Sequence, residues 1–108
     1  DLGVVAQMAE RVIVMYAGRV VEQAPVTALF DEPAHPYTRG LLASIPRLTS
    51  SRYEPLPVIP GQVPNLHELP RGCHFQDRCP EVMAICRREE PSLVEHMREA
   101  SVRCWRFG

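Results

Sequence analysis

Between Pro55 and Pro70 the chain carries five prolines, Pro55, Pro57, Pro60, Pro64 and Pro70, with Gly61 among them. A proline ring fixes φ and removes a backbone donor, so this stretch cannot be helical and makes a poor central strand. It also carries Leu56, Val58, Ile59, Val63, Leu66 and Leu69, more apolar surface than a solvated linker keeps. The stretch is expected to run extended against a surface, with turns and short β contacts.

The residues before it read differently. Leu2, Val5, Ala6 and Ala9 recur at helical spacing behind Asp1, which predicts a short amphipathic helix over about residues 2–10. The β-branched run Val12-Ile13-Val14-Met15-Tyr16, the Ala17-Gly18 pair and Arg19-Val20-Val21-Glu22-Gln23 predict a β-hairpin. Its first strand is apolar at consecutive positions and is expected to be buried on both faces. The second alternates more and is expected at an edge. Pro25 ends the hairpin and seats a short helix over Val26–Phe30. Asp31-Glu32-Pro33 is a break. His35-Pro36-Tyr37-Thr38 opens a second helix with Leu41, Leu42 and Ile45 as its apolar stripe and Pro46 as its stop. The fold class expected is α+β: a short helix, a hairpin and helices over residues 1–46, then an irregular Pro/Cys-rich lobe over 47–108.

A net charge of −1 gives no reason to expect nucleic acid or a polybasic membrane anchor. No apolar run reaches the roughly 20 residues of a membrane-spanning helix, so no direct membrane insertion is expected. The chain opens Asp1-Leu2-Gly3, without Met or a basic leader, as expected of part of a longer reading frame. All 12 basic residues are arginine. The chain therefore holds no phosphate-gripping lysine, and no phosphate loop can be completed within it.

All 4 cysteines, Cys73, Cys79, Cys86 and Cys104, fall in the last third. Without a secretory leader, a metal or cluster site is favoured over a disulfide framework. Structural zinc sites usually bring cysteines two to four residues apart to one ion, and no such pair exists here. The wider, uneven spacing suits an iron–sulfur cluster, and Cys79-Pro80 matches the Cys-Pro step of one cluster-binding run. Pro80 is expected to start a short helix through Val82–Ile85 with Cys86 at its end. Two alternatives stay open: four buried small side chains, or two disulfides in one of three pairings. His74 and His67 could join a zinc site but are expected at the surface. Arg71, Arg78, Arg87, Arg88, Arg103 and Arg106 surround the cysteines, where they would favour an anionic cluster. Solvated surface arginines are the default expectation.

Catalysis finds little support. Asp31-Glu32 and Glu89-Glu90 are adjacent in sequence, so each pair points two ways and reads as solvated charge. Ser50-Ser51 has no nearby base. His35 to Thr38 reads as a helix start with Tyr37 in the core. No catalytic residue is expected.

The run from Asp1 to Glu22 resembles the end of the nucleotide-binding domain of ABC transporters. His35-Pro36-Tyr37-Thr38-Arg39-Gly40-Leu41-Leu42 is similar to a stretch of the oligopeptide/dipeptide import ATPases. Pro60-Gly61-Gln62-Val63-Pro64-Asn65-Leu66, Gly72-Cys73-His74-Phe75 and Arg78-Cys79-Pro80 resemble that subfamily's C-terminal extension. The resemblance implies that residues 1–46 complete a nucleotide-binding domain and 47–108 form the extension. It also implies a structural or regulatory [4Fe-4S] cluster on Cys73, Cys79, Cys86 and Cys104, with zinc as the alternative metal. In that family the phosphate loop, signature motif and switch histidine lie upstream of Asp1. ATP is thus expected only in a full-length subunit, and no ATP hydrolysis is expected from this chain. The implied partners are membrane-spanning transporter subunits and a second ATP-binding subunit, at the cytoplasmic face of the cell membrane. The rival readings are a stand-alone zinc-binding interaction module, a redox carrier and an unfolded remnant.

Overall fold

The computed structural model describes residues 4–8, 10–44 and 59–107. The boundary expected near 47–55, the Ser50-Ser51 pair, the Ile45-Pro46 helix end and the capping role of Asp1 lie outside the described residues. The architecture is α+β. Five antiparallel strands, β1 (Val4–Met8), β2 (Arg11–Tyr16), β3 (Arg19–Pro25), β4 (Val94–Met97) and β5 (Ala100–Val102), form one sheet in the order β1-β2-β3-β5-β4. Two helices, α1 (Val26–Asp31) and α2 (Pro36–Ala43), follow β3.

The predicted hairpin forms. Ala17 and Gly18 take φ of 46° and 80°, the paired positive values that a two-residue turn between right-twisted strands requires. Two expectations about its strands are corrected. Residues of β2 alternate between buried (Val12, Val14, Tyr16) and half-buried (Arg11, Ile13, Met15), so one face packs on the core and the other is only partly covered. β3 is not an edge: Glu22 pairs with Val102 and Gln23 with Ser101 of β5.

The helix expected over 2–10 is also corrected. Val4–Met8 is a strand paired antiparallel to β2, Val5 opposite Val14 and Gln7 opposite Val12. Val4 and Val5 are β-branched, and pairing here satisfies a row of β2 backbone groups that would otherwise be left open. That gain from pairing with the next strand overrides a helical repeat of only a few residues.

α1 and α2 form where the sequence predicts them. His35 caps α2 in extended conformation, its ring accepting the Tyr37 N–H, and Pro36 takes the first turn, where its missing donor costs nothing. α2 closes at Ala43 with Ser44 as its cap.

The core lies on the sheet face carrying Val12, Val14 and Tyr16, with Leu29 of α1, Tyr37 of α2 and Phe75 from the cysteine-bearing part. Tyr16 and Phe75 meet edge-to-face at 5.0 Å, and Tyr37 lies 4.7 Å from Tyr16 and 5.4 Å from Phe75. Such tilted pairs are worth about 0.5–1.5 kcal/mol each beyond area burial. Over its described part the proline-rich stretch is irregular, bending at Gly61 and turning where the Glu68 N–H meets Asn65 O at 2.9 Å, with none of the expected β contacts among the described residues; Ile59, Val63 and Leu69 pack against this core. Leu66 is exposed. The helix expected over Val82–Ile85 is instead one 3₁₀ turn over Ala84–Arg87, with Cys86 inside it.

Candidate thiol site

Cys73, Cys79, Cys86 and Cys104 line one small pocket, bounded also by Pro36 and by Trp105. Four separate pieces of chain bring them there. Cys73 follows Gly72, Cys79 precedes Pro80, Cys86 sits in the 3₁₀ turn, and Cys104 comes two residues after β5. All four are free thiols.

Each sulfur accepts one backbone N–H. Glu81 donates to Cys79 Sγ at 3.3 Å and Met83 to Cys86 Sγ at 3.4 Å. Phe75 donates to Cys73 and Arg106 to Cys104. In three cases the donor lies two residues beyond the cysteine. A neutral thiol is a weak acceptor, whereas a thiolate is anionic and gains from donors aimed at it. Burial first, with the other three sulfurs adding to it and the Phe75 N–H opposing it, pushes the Cys73 thiol up to about 11. Burial also raises Cys79 and Cys104, again with neighbouring cysteines adding to the effect. These thiols repel one another's ionisation, so a cation that replaces their protons relieves both burdens. The donor set fits a thiolate-bound metal group. Among the described residues no three His, Cys, Asp or Glu side chains are gathered to hold a single metal ion.

The surrounding loops are pinned by hydrogen bonds, most of them to main-chain carbonyls. Cys73 donates its N–H to the Cys86 carbonyl at 2.7 Å. Gln76 Nε2 donates to the carbonyls of Arg71 and Cys73, and Arg87 Nη1 donates to Gln76 Oε1 at 3.2 Å. Trp105 Nε1 donates to Glu89 O at 2.7 Å, which holds the indole beside the pocket.

Several expectations about charged residues change. His74 is buried, its Nδ1 donating to Ala17 O at 2.9 Å, with Nε2 3.8 Å from Glu90. It faces the β2–β3 turn and not the sulfurs, whereas His67 is exposed as expected. Arg78 is buried and donates to Pro60 O at 3.0 Å and Ile59 O at 3.1 Å. Its guanidinium also lies over the Tyr16 ring. It anchors the proline-rich stretch where a solvated side chain was expected. Glu90 is not simply solvated: it pairs with Arg19 at 2.6 Å. Asp31 and Glu32 are exposed.

Glu22 carried no sequence signal. It is 1% exposed, and its carboxylate accepts the backbone N–H groups of Ala34 and His35, each at 2.8 Å. It thereby fixes the start of α2. No helix among the described residues is long and apolar enough to cross a membrane.

The sequence pattern of the family described as oligopeptide/dipeptide transporter, C-terminal region, matches residues 21–86. That span runs from β3 to the third cysteine of the pocket. The chain belongs to this family. Over 106 residues it is 53% identical to a probable peptide ABC transporter ATP-binding protein, y4tR, of Sinorhizobium fredii, covering 98% of this chain and 32% of that protein. It is 50% identical over 107 residues to the oligopeptide transport ATP-binding protein AppD of Bacillus subtilis, covering 99% of this chain and 32% of the relative. It is 52% identical over 91 residues to the oligopeptide transport ATP-binding protein OppD of Salmonella typhimurium, covering 84% and 27% respectively. The chain thus matches between about a quarter and a third of the length of these relatives.

Proposed function

We propose that this chain is the C-terminal part of the ATP-binding subunit of a peptide-importing ABC transporter, and that its four cysteines hold a [4Fe-4S] cluster with a structural or regulatory role. The relatives' names support the first half, since each is a peptide-transport ATP-binding protein aligned over most of this chain. The observation that carries the second half is the pocket itself: four sulfurs, each with a backbone donor, drawn from four separate pieces of chain.

Bound there, the cluster supplies a four-point cross-link. The chain's own residues do the rest. Gly72 and the 3₁₀ turn bring Cys73 and Cys86 together, and the backbone donors stabilise thiolate charge. Among its described residues the part beyond Pro55 is loop-rich, with one 3₁₀ turn and the two small strands β4 and β5, the kind of lobe that usually needs a staple. ATP binding and hydrolysis belong to the full-length subunit, which would work at the cytoplasmic membrane face with membrane-spanning subunits and a second ATP-binding subunit. This chain by itself is expected not to hydrolyse ATP.

The test is iron, sulfide and zinc content together with a visible spectrum of protein purified without oxygen. About four irons per chain with broad charge-transfer absorption confirms the cluster. Zinc at one per chain in colourless protein moves the thiols to a structural ion site, which favours the interaction-module reading.

A further inference from the structure

One short segment serves both the thiol pocket and the sheet. Over Gly72–Gln76 successive side chains turn to different tasks. Cys73 lines the pocket. His74 Nδ1 donates to Ala17 O, the first residue of the β2–β3 turn, at 2.9 Å. Phe75 enters the aromatic core against Tyr16 and Tyr37. Gln76 folds back on the carbonyls of Arg71 and Cys73. A second tether reaches the same turn: Glu90 pairs with Arg19, the first residue of β3, and its carboxylate lies 3.8 Å from His74 Nε2.

We infer that His74 transmits the occupancy of the thiol pocket to the β2–β3 turn. The inference rests on the reading that the four sulfurs take a thiolate-bound metal group. Ligation of Cys73 would restrict its backbone, and His74 is the next residue. Its ring is buried and bonded to a main-chain oxygen of the turn, so a restricted Cys73 holds Ala17 in place. An empty pocket leaves Cys73 held by its backbone bond to Cys86 O and by pocket packing, and the turn is correspondingly freer. The turn lies some 56 residues upstream of the first cysteine in sequence, yet one side chain away in space. His74 acts here as a positioning residue and not as a ligand.

The experiment measures backbone hydrogen exchange over residues 17–20 in the full chain, before and after loading with ferrous iron and sulfide, and separately with zinc ion alone. Uptake is followed by metal content and absorption. Loading is expected to slow exchange at the turn about tenfold, an ordinary size for coupling between two sites. His74→Phe, which keeps a ring and removes the donor, is expected to load normally while the slowing falls below about twofold. His74→Asn, whose amide can replace the Nδ1 donor, is expected to restore it. A loaded wild-type chain with unchanged exchange overturns the inference and leaves the metal-site reading standing. Full slowing in His74→Phe does the same. Failure to take up either iron–sulfide or zinc overturns both.

Discussion

Gly72 lies so close to Cys86 that a Cβ at residue 72 would stand 2.3 Å from the Cys86 carbonyl oxygen. The same carbonyl accepts the Cys73 N–H at 2.7 Å, so the two thiol-bearing segments are clasped main chain to main chain. Gly72 also has φ of +88°, a left-handed value open to glycine at little cost.

Gly72→Ala is therefore expected to open this clasp. Left-handed backbone alone costs an alanine about 1–2 kcal/mol, and the contact with backbone atoms of Cys86 and Arg87 adds to it because neither can swing away. Denaturant midpoint and metal content of the variant should both fall. A variant that loads metal as the parent does and keeps its midpoint would show that the clasp is dispensable.

Glu22→Ala removes the acceptor for two buried N–H groups at the start of α2, those of Ala34 and His35. Each buried donor left without a partner costs about 1–3 kcal/mol. The expected loss is about 2–5 kcal/mol in urea unfolding. Glu22→Gln keeps one acceptor oxygen and should lose less. Equal stability of the two variants would show that the hydrogen bond the glutamine oxygen can keep contributes nothing.

The contrast between these two sites shows what a sequence makes visible. The β2–β3 hairpin is legible because Ala17-Gly18 separates two β-branched runs, and α2 because His35-Pro36 follows a break. The four cysteines are legible as a set, since their type is rare and their count fits a four-ligand group. The backbone donors aimed at the sulfurs leave no side-chain trace. His74 and Arg78 read as surface side chains, and Glu22 as an ordinary strand residue, because their partners are main-chain atoms far off in sequence. The pairing of Glu22 with Val102 is hidden for the same reason. β4 and β5 are 4 and 3 residues long, too short for alternation to stand out. At residues 4–8 a helical repeat lost to pairing with the adjacent strand β2, a cross-strand term that the spacing within the segment does not contain.

Arg78→Lys tests whether the proline-rich stretch is held by guanidinium geometry. Arg78 reaches Pro60 O through Nε and Ile59 O through Nη2, a fork that one ammonium cannot reproduce. Gly61 leaves room for its aliphatic stem, since a Cβ there would stand 3.0 Å from Arg78 Cγ. The expected loss is about 1–3 kcal/mol, with earlier proteolytic cleavage near residues 59–63. An unchanged digestion pattern and midpoint would mean that Ile59 and Val63 packing suffices without Arg78.

His35 gives the fold an acid limit. It is 1% exposed. Burial first, and the Arg39 charge second, lower its pKa from 6.5 to about 3. Its Nδ1 accepts the Tyr37 N–H at 3.0 Å, which a protonated ring cannot do. Above pH 6.5 folded and unfolded chains both hold the neutral ring, and the helix cap is intact. As pH falls from 6.5 toward 3, the unfolded chain takes up a proton that the folded chain refuses. Stability should then drop by roughly 1.4 kcal/mol per pH unit from this group, on the order of a few kcal/mol in total. His35→Asn keeps a capping acceptor and has no titration in this range. Urea midpoints at about pH 7 and about pH 5, where few carboxylates have yet titrated, should decline more in the parent than in the variant. Parallel declines would place the acid sensitivity elsewhere in the fold.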